Sequence, residues 1–230
     1  VIPRSNAVQI AGSWNSVSTG LDNTFGILSN GLLYSWGRNQ GGQLGINDLI
    51  HRSSPVQVGT SSWSLVNGGQ QIAFATKSNG NLFAWGTNTV GELGTTRLNS
   101  TSSPVLVKTV NESWVSGKTN TVGTLALRSD GSIWSWGSNT DGALGTNDLV
   151  ARSNPTQLGT SSWSAVGDSS TALRIDGALF MWGNNNWGQL GANDLVHRSN
   201  PIQIGTSSWS SVSAGATQAL AIRTDSSLWA

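Results

Sequence analysis

The 230-residue chain has no cysteine, one methionine and one tyrosine, and only 10% of its residues are charged. Without cysteine there are no disulfide staples, no thiol nucleophile and no thiolate metal ligands. Average proteins are about a quarter charged, so here neutral polar groups must dress the surface. Twelve Lys and Arg against 11 Asp and Glu leave a formal charge of +1. That excludes nucleic-acid binding through a broad basic face, which needs clustered cations. No apolar run reaches the ~18 residues of a membrane helix, so no membrane span is expected. The opening residues, from Val1, show no charged-then-apolar leader, and no signal peptide is expected within the chain. Compartment stays open, with the low charge leaning toward the extracellular or surface side.

What is present is glycine, 29 residues, and tryptophan, 12. A chain with this much tryptophan and 37% hydrophobic content can bury a core and is not disordered. The aromatics recur. Trp36-Gly37-Arg38-Asn39-Gln40-Gly41-Gly42-Gln43-Leu44-Gly45 returns at Trp85–Gly94, Trp136–Gly145 and Trp182–Gly191 as W-G-x-N-x-x-G-x-L-G. A Ser-Trp marker sits at Trp14, Trp63, Trp114, Trp163 and Trp209, in steps of 49, 51, 49 and 46 residues. Between the two markers lies Asn30-Gly31, Asn79-Gly80, Asp130-Gly131 or Asp176-Gly177, weakened to Asp225-Ser226 in the fifth copy.

An Asn-Gly or Asp-Gly pair between apolar runs is a strong hairpin signal, here read as a type I′ turn with both residues at positive φ. The Gly-rich stretch follows, then an Arg-Ser-x-Pro segment opening a short strand such as Thr156-Gln157-Leu158. Pro is expected at the beginning of that strand, where no ladder donor is needed. Each unit therefore supplies four short strands and no helix, and a four-stranded sheet repeated every ~40–50 residues is a propeller blade. The expected fold is all-β, one β-propeller domain over residues 1–230. Its repeat units run 14–62, 63–113, 114–162, 163–208, and 209–230 together with 1–13.

The W-G-x-N-x-x-G-Q-L-G signature after an Asp-Gly hairpin resembles the RCC1 (regulator of chromosome condensation) repeat family, and the resemblance covers essentially the whole chain. It implies a closed propeller, usually of seven blades, acting as an interaction scaffold. Seven blades at this period need about 350 residues. Strand counting gives another answer. Arg4-Ser5-Asn6-Ala7-Val8-Gln9-Ile10 matches Arg152-Ser153-Asn154-Pro155-Thr156-Gln157-Leu158, a fourth strand, whereas the chain stops at Ser227-Leu228-Trp229-Ala230, a third strand. The expectation is five blades, closed by the N-terminal strand pairing with the last three and so covering an exposed edge. A fragment of a seven-bladed ring is the rival.

Aromatics recurring at the structural period belong to packing between blades. Trp36, Trp85, Trp136 and Trp182, with Gly37, Gly86, Gly137 and Gly183, are accordingly structural, and Asn39, Asn88, Asn139 and Asn185 are turn residues bonding local backbone. The Gly-rich stretch is no phosphate cradle, because no helix follows it. His51 and His197 occupy equivalent positions on different units, which speaks against a shared metal. No nucleophile–base–orienter spacing occurs, so no catalytic residue and no cofactor is expected. Trp187 replaces Gly41, Val90 and Asp141 in a variable slot. Together with Asn186, Asp141 and Arg38 it forms the candidate contact set for a partner. The expected function is a non-catalytic scaffold, monomeric, offering propeller-face loops to a protein or glycan. Lectin-like binding and a structural repeat of a surface or fibre protein are the alternatives. Nucleotide exchange on a small GTPase is disfavoured by the lack of a long loop insertion and of steering charge.

Overall fold

The hairpins organise each unit, and they do so with a different turn from the one expected. In the computed structural model, which describes residues 8–107, 113–119, 123–168, 170–214 and 218–229, Gly31 has φ +85° while Asn30 does not have positive φ. Gly31 N–H donates to Leu28 O at 2.8 Å and Leu28 N–H to Leu32 O at 2.9 Å. The turn is thus three residues long, a type I turn closed by a left-handed glycine, which needs positive φ at one position only. The Asn30 carboxamide accepts from Leu32 N–H at 3.1 Å, which is why Asn and Asp recur there.

Four antiparallel meanders follow in order. They are β1 (Trp14–Thr19) to β4 (Arg52–Gln57) with β2 (Asn23–Leu28) and β3 (Leu33–Gly37); β5 (Trp63–Gly68), β6 (Ile72–Lys77), β7 (Leu82–Gly86) and β8 (Thr101–Leu106); β9 (Trp114–Thr119), β10 (Gly123–Arg128), β11 (Ile133–Gly137) and β12 (Arg152–Gln157); and β13 (Trp163–Gly167), β14 (Thr171–Arg174), β15 (Leu179–Gly183) and β16 (Arg198–Gln203). A fifth sheet holds three strands, β17 (Trp209–Ala214), β18 (Ala219–Arg223) and β19 (Leu228–Trp229). No α-helix occurs among the described residues; one 3-10 turn spans Thr140–Gly142. The fourth strand begins at Arg rather than at Pro. Pro155 lies inside β12, within the stretch where the register against β11 shifts between Ser135 and Gly137. An edge strand tolerates proline there because no regular ladder bond is lost.

The core lies between the sheets. Phe25, Ile27, Leu33 and Val58 of the first blade pack on Trp63, Val66, Ala73, Ala75 and Trp85 of the second, and three further clusters repeat this along the chain. Each blade shows its following neighbour the alternate residues of its second strand, and receives that neighbour's first-strand Trp in return. At the two ends the cover is missing. Val17 is 70% exposed where its counterparts Val66 and Val166 are 6% and 7%, and Leu228 is 67% exposed where Leu33, Leu82, Ile133 and Leu179 are 0–4%.

The expected closure is therefore not seen. Residues 4–7 of the closing strand lie outside the described residues, and Val8, Gln9 and Ile10 are exposed and unpaired. The three-stranded fifth sheet has no fourth member among the described residues. Strand arithmetic alone cannot bend five blades into a ring; the angle between successive sheets is set by the interblade side chains, which no strand count contains.

Candidate functional site

The Gly-rich stretch between the third and fourth strands, the outer loop of each blade, is the most elaborately bonded part of the unit. At its root the Asn39 side chain is buried, accepting from Leu44 N–H at 2.9 Å and donating to Asp48 O at 2.9 Å. Asn88, Asn139 and Asn185 make the same bond to Leu93, Leu144 and Leu190. This bears out their reading as backbone-bonding turn residues. The loop also does something that the spacing did not reveal: it clasps the next blade. Asn47 N–H donates to Ser102 O at 2.8 Å, Thr96 to Ser153 at 3.0 Å and Asn147 to Ser199 at 2.6 Å, each across a blade boundary.

The structural tryptophans complete the clasp. Trp85 Nε1 donates to Gln43 O of the preceding blade at 2.8 Å, Trp136 to Glu92 O at 2.9 Å and Trp182 to Ala143 O at 3.0 Å. All three indoles are buried, whereas Trp36, with no described blade before it, is partly exposed. Gly42, Gly91 and Gly142 have φ of +82°, +92° and +78°, and a Cβ there would stand 2.8, 2.5 and 2.4 Å from the Cα of Ser102, Ser153 and Ser199. The glycines permit close approach of two backbones as well as a turn.

At the tip the loop turns on an aspartate. Asp48 Oδ1 accepts from Ile50 N–H at 2.9 Å, and Arg52 pairs with Asp48 Oδ2 while donating to Ile50 O at 3.0 Å. Asp148 with Arg152 and Asp194 with Arg198 repeat the set. The backbone bond from Ile50, followed by Arg52, holds the Asp48 carboxyl below the ordinary carboxylate range, and the same causes lower Asp148 and Asp194. On these clamped turns stand aliphatic pairs turned to solvent. Leu49 with Ile50, Leu149 with Val150 and Leu195 with Val196 are all 59–68% exposed, and Leu98 is 57% exposed. The recurring Asn-Asp-Leu-Ile/Val held this signal, an apolar pair at a turn rather than in a strand.

The contact set read from the sequence is only partly brought together. Asp141 of the third blade accepts from Asn184 Nδ2 at 2.7 Å and lies 3.1 Å from His197 Nδ1, and His197 Nε2 meets Asn186 Oδ1 at 2.9 Å. Asp141, Asn186 and their unforeseen partners Asn184 and His197 are thus one polar cluster across a blade boundary. Trp187 follows in the chain, 77% exposed, and lines an open cleft of about 590 Å³ with Leu190, Ile204, Trp209 and Leu220. Arg38 stands apart on the first blade, paired with Asp22 at 3.2 Å and Gln40 at 2.7 Å. His51 serves locally, its Nδ1 accepting from Asn39 N–H at 2.9 Å.

The variable slot has a meaning in the fold. A Cβ on Gly41 would lie 2.7 Å from Thr87 Oγ1 of the second blade, and Asp141 reaches Asn184 of the fourth. The slot faces the blade that follows, so Trp187 projects toward the incomplete fifth sheet.

Sequence profiles of the regulator of chromosome condensation (RCC1) repeat match residues 14–43, 30–76, 79–117, 130–173 and 176–222. No curated protein sequence matches the chain. Among solved structures it is similar to human WBSCR16, with 22% identity, 95% of this chain and 60% of that one covered, and a TM-score of 0.83. Yeast RCC1 (Prp20), solved bound by Kap60, gives 19% identity, 94% and 55% coverage and a TM-score of 0.82. The ectodomain of the receptor kinase CR4 from Physcomitrella patens gives 12% identity, 95% and 54% coverage and a TM-score of 0.63. The chain spans less than two thirds of the length of each. Among the described residues no helix is long and apolar enough to cross a membrane, which says nothing of a β-barrel.

Proposed function

The chain belongs to the RCC1 repeat family, and we propose that it is a non-catalytic scaffold whose outer-loop tips hold a protein partner. The family's propellers generally serve as interaction scaffolds. The observation that carries the proposal is the clamped, solvent-facing aliphatic pair repeated from blade to blade. Exposed aliphatic side chains on a mobile loop collapse onto their surroundings. Here the Asx turn, the Asp–Arg pair and the buried Asn hold them out, so the ordering cost of binding is already met. Successive tips form separate apolar contact points, and a partner with matching apolar side chains covers several at once.

Prp20 is described with binding properties toward Gsp1p and histones. Histone binding by charge is disfavoured for this chain, because the tip aspartates are already paired with arginine. Selection of a displayed random-peptide library on the whole chain tests the reading. Aliphatic-rich peptides should emerge, and should fail to bind a variant carrying Ser at 49, 50, 149, 150, 195 and 196. Peptides that bind parent and variant alike would overturn it. A glycan reading rests on Trp187, an exposed indole beside the Asn186–His197–Asp141 cluster; glycan-array binding lost in Trp187→Ala selects that reading, and a blank array removes it.

A further inference from the structure

The fifth sheet lacks an outer strand, and the same chain carries an outer strand with no sheet. In the complete blades the fourth strand closes on the third with one register. Gln57 stands opposite Tyr34, Gln157 opposite Trp134 and Gln203 opposite Phe180. The next residue then donates inward: Val58 N–H to Leu33 O, Val107 to Leu82, Leu158 to Ile133 and Ile204 to Leu179, at 2.8–2.9 Å. Val58, Val107 and Leu158 are buried by that docking.

At the N-terminus, Arg4-Ser5-Asn6-Ala7-Val8-Gln9-Ile10 repeats the fourth-strand sequence. Its described part is unpaired, with Val8 58% and Ile10 42% exposed. At the other end, β19 shows a free edge, with Leu228 67% and Trp229 46% exposed. The clasp before it is empty as well. Asn193 holds the left-handed conformation of Asn47 and Asn147, φ +59° beside +64° and +62°. Its N–H nevertheless meets no acceptor among the described residues, and a Cβ on Gly188 would have only Leu195 nearby, at 3.8 Å. The seat of a fourth strand is built on one side, and the strand is present on the other.

We propose that the fifth blade is completed in trans, by residues 4–10 of a second copy of this chain. The donated strand places Gln9 opposite Trp229, Ile10 N–H on Leu228 O, and Ser5 in the clasp formed by Asn193 and Gly188. Main-chain bonds supply the affinity and the Ile10 side chain covers Leu228 and Ile222, as in strand addition generally. The donating copy is the second one because, within one chain, the segment stays on the first blade, where Trp14 Nε1 bonds Ile10 O at 3.3 Å. The contact is heterologous: each copy gives a strand at one end and accepts one at the other, so association grows with concentration. It replaces the monomer expected from the sequence.

The absence of cysteine makes the register testable. Tyr34 and Gln57 are a pair between ladder bonds, the setting in which opposed Cα atoms come within about 4.5 Å and accept a disulfide. Gln9→Cys and Trp229→Cys, prepared separately, mixed and oxidised, should yield a species of twice the 24.0 kDa chain mass. Neither alone should do so to a comparable extent. The double variant Gln9→Cys/Trp229→Cys oxidising within single chains would establish ring closure and overturn the proposal, as would the absence of any cross-link. Because Trp229→Cys disturbs β19, sedimentation of the otherwise unaltered chain provides a second arm. Mass should rise with concentration, and Ile10→Pro, which removes the donor N–H from an exposed and unpaired residue, should abolish the rise. A parent that stays at 24.0 kDa, or a rise indifferent to Ile10→Pro, would also overturn it.

Discussion

Replacing Trp136 by alanine removes an indole with no solvent exposure that reaches across a blade boundary. It packs edge-on against Trp114 at 5.8 Å and its Nε1 donates to Glu92 O. Deleting a buried Trp costs about 3–5 kcal/mol through lost transfer energy and cavity, and the orphaned carbonyl keeps the cost at the upper end. Trp36 occupies the same motif position on the first blade. There it is partly exposed, touches Trp14 at 6.1 Å, and its Nε1 has no partner among the described residues. Trp36→Ala should therefore cost about half as much, about 2 kcal/mol. Urea unfolding followed by circular dichroism reads both differences. At this chain length the larger one should also lower Tm by about 8–16 °C. Equal costs at the two positions, or under about 1 kcal/mol at Trp136, would refute the idea that the motif tryptophan is an interblade clasp.

Glycine substitutions separate backbone strain from backbone contact. Gly59 and Gly91 both have positive φ, but a Cβ at Gly59 meets nothing within 4 Å while one at Gly91 meets Ser153 Cα at 2.5 Å. Gly59→Ala should cost about 1 kcal/mol and Gly91→Ala clearly more, by thermal unfolding; similar losses would contradict the clasp geometry. Acid should destabilise the fold in a defined window. Asp176 is held down to about 2 by Arg174 and the Ala178 backbone, and Asp130 and Asp225 are lowered by the hydroxyls of Ser132 and Ser227. Depressed folded values contribute stability that is present above the unfolded carboxylate range and lost as pH falls through the folded ones. Tm should thus be level from pH 7 to about 5 and fall between about pH 4 and 2, by calorimetry. A Tm rising in that window would contradict the assignment.

Much of the architecture was legible because each unit repeats its own punctuation. The Ser-Trp marker opens the first strand, the Asn-Gly pair turns the second into the third, and the Trp-Gly pair ends the third. The outer loop was legible only in part. Asn39 could be read as a turn residue from its own chemistry, whereas Gly42 looked like a turn glycine and also proved to be the point where two backbones meet. That second role depends on Ser102, sixty residues away, and local spacing does not carry it. Trp187 seemed to lack a repeat rationale because its slot was compared with Gly41 and Val90 in sequence; Asp141, bonded to Asn184, shows that the slot faces the following blade. Ring closure failed for a related reason: Val8–Ile10 and Leu228–Trp229 match as strands, but the stacking angle of the blades between them keeps the two ends apart.

Amide hydrogen exchange at the clasp tests the account most directly. At dilution, where no second chain is bound, Asn47, Thr96 and Asn147 should exchange as slowly as the strands they are tied to, since their N–H groups bond the next blade. Asn193, alike in sequence position and backbone conformation but with no strand to bond, should exchange at nearly the rate of an open loop. Four amides exchanging alike, fast or slow, would contradict a propeller held together blade by blade through its outer loops.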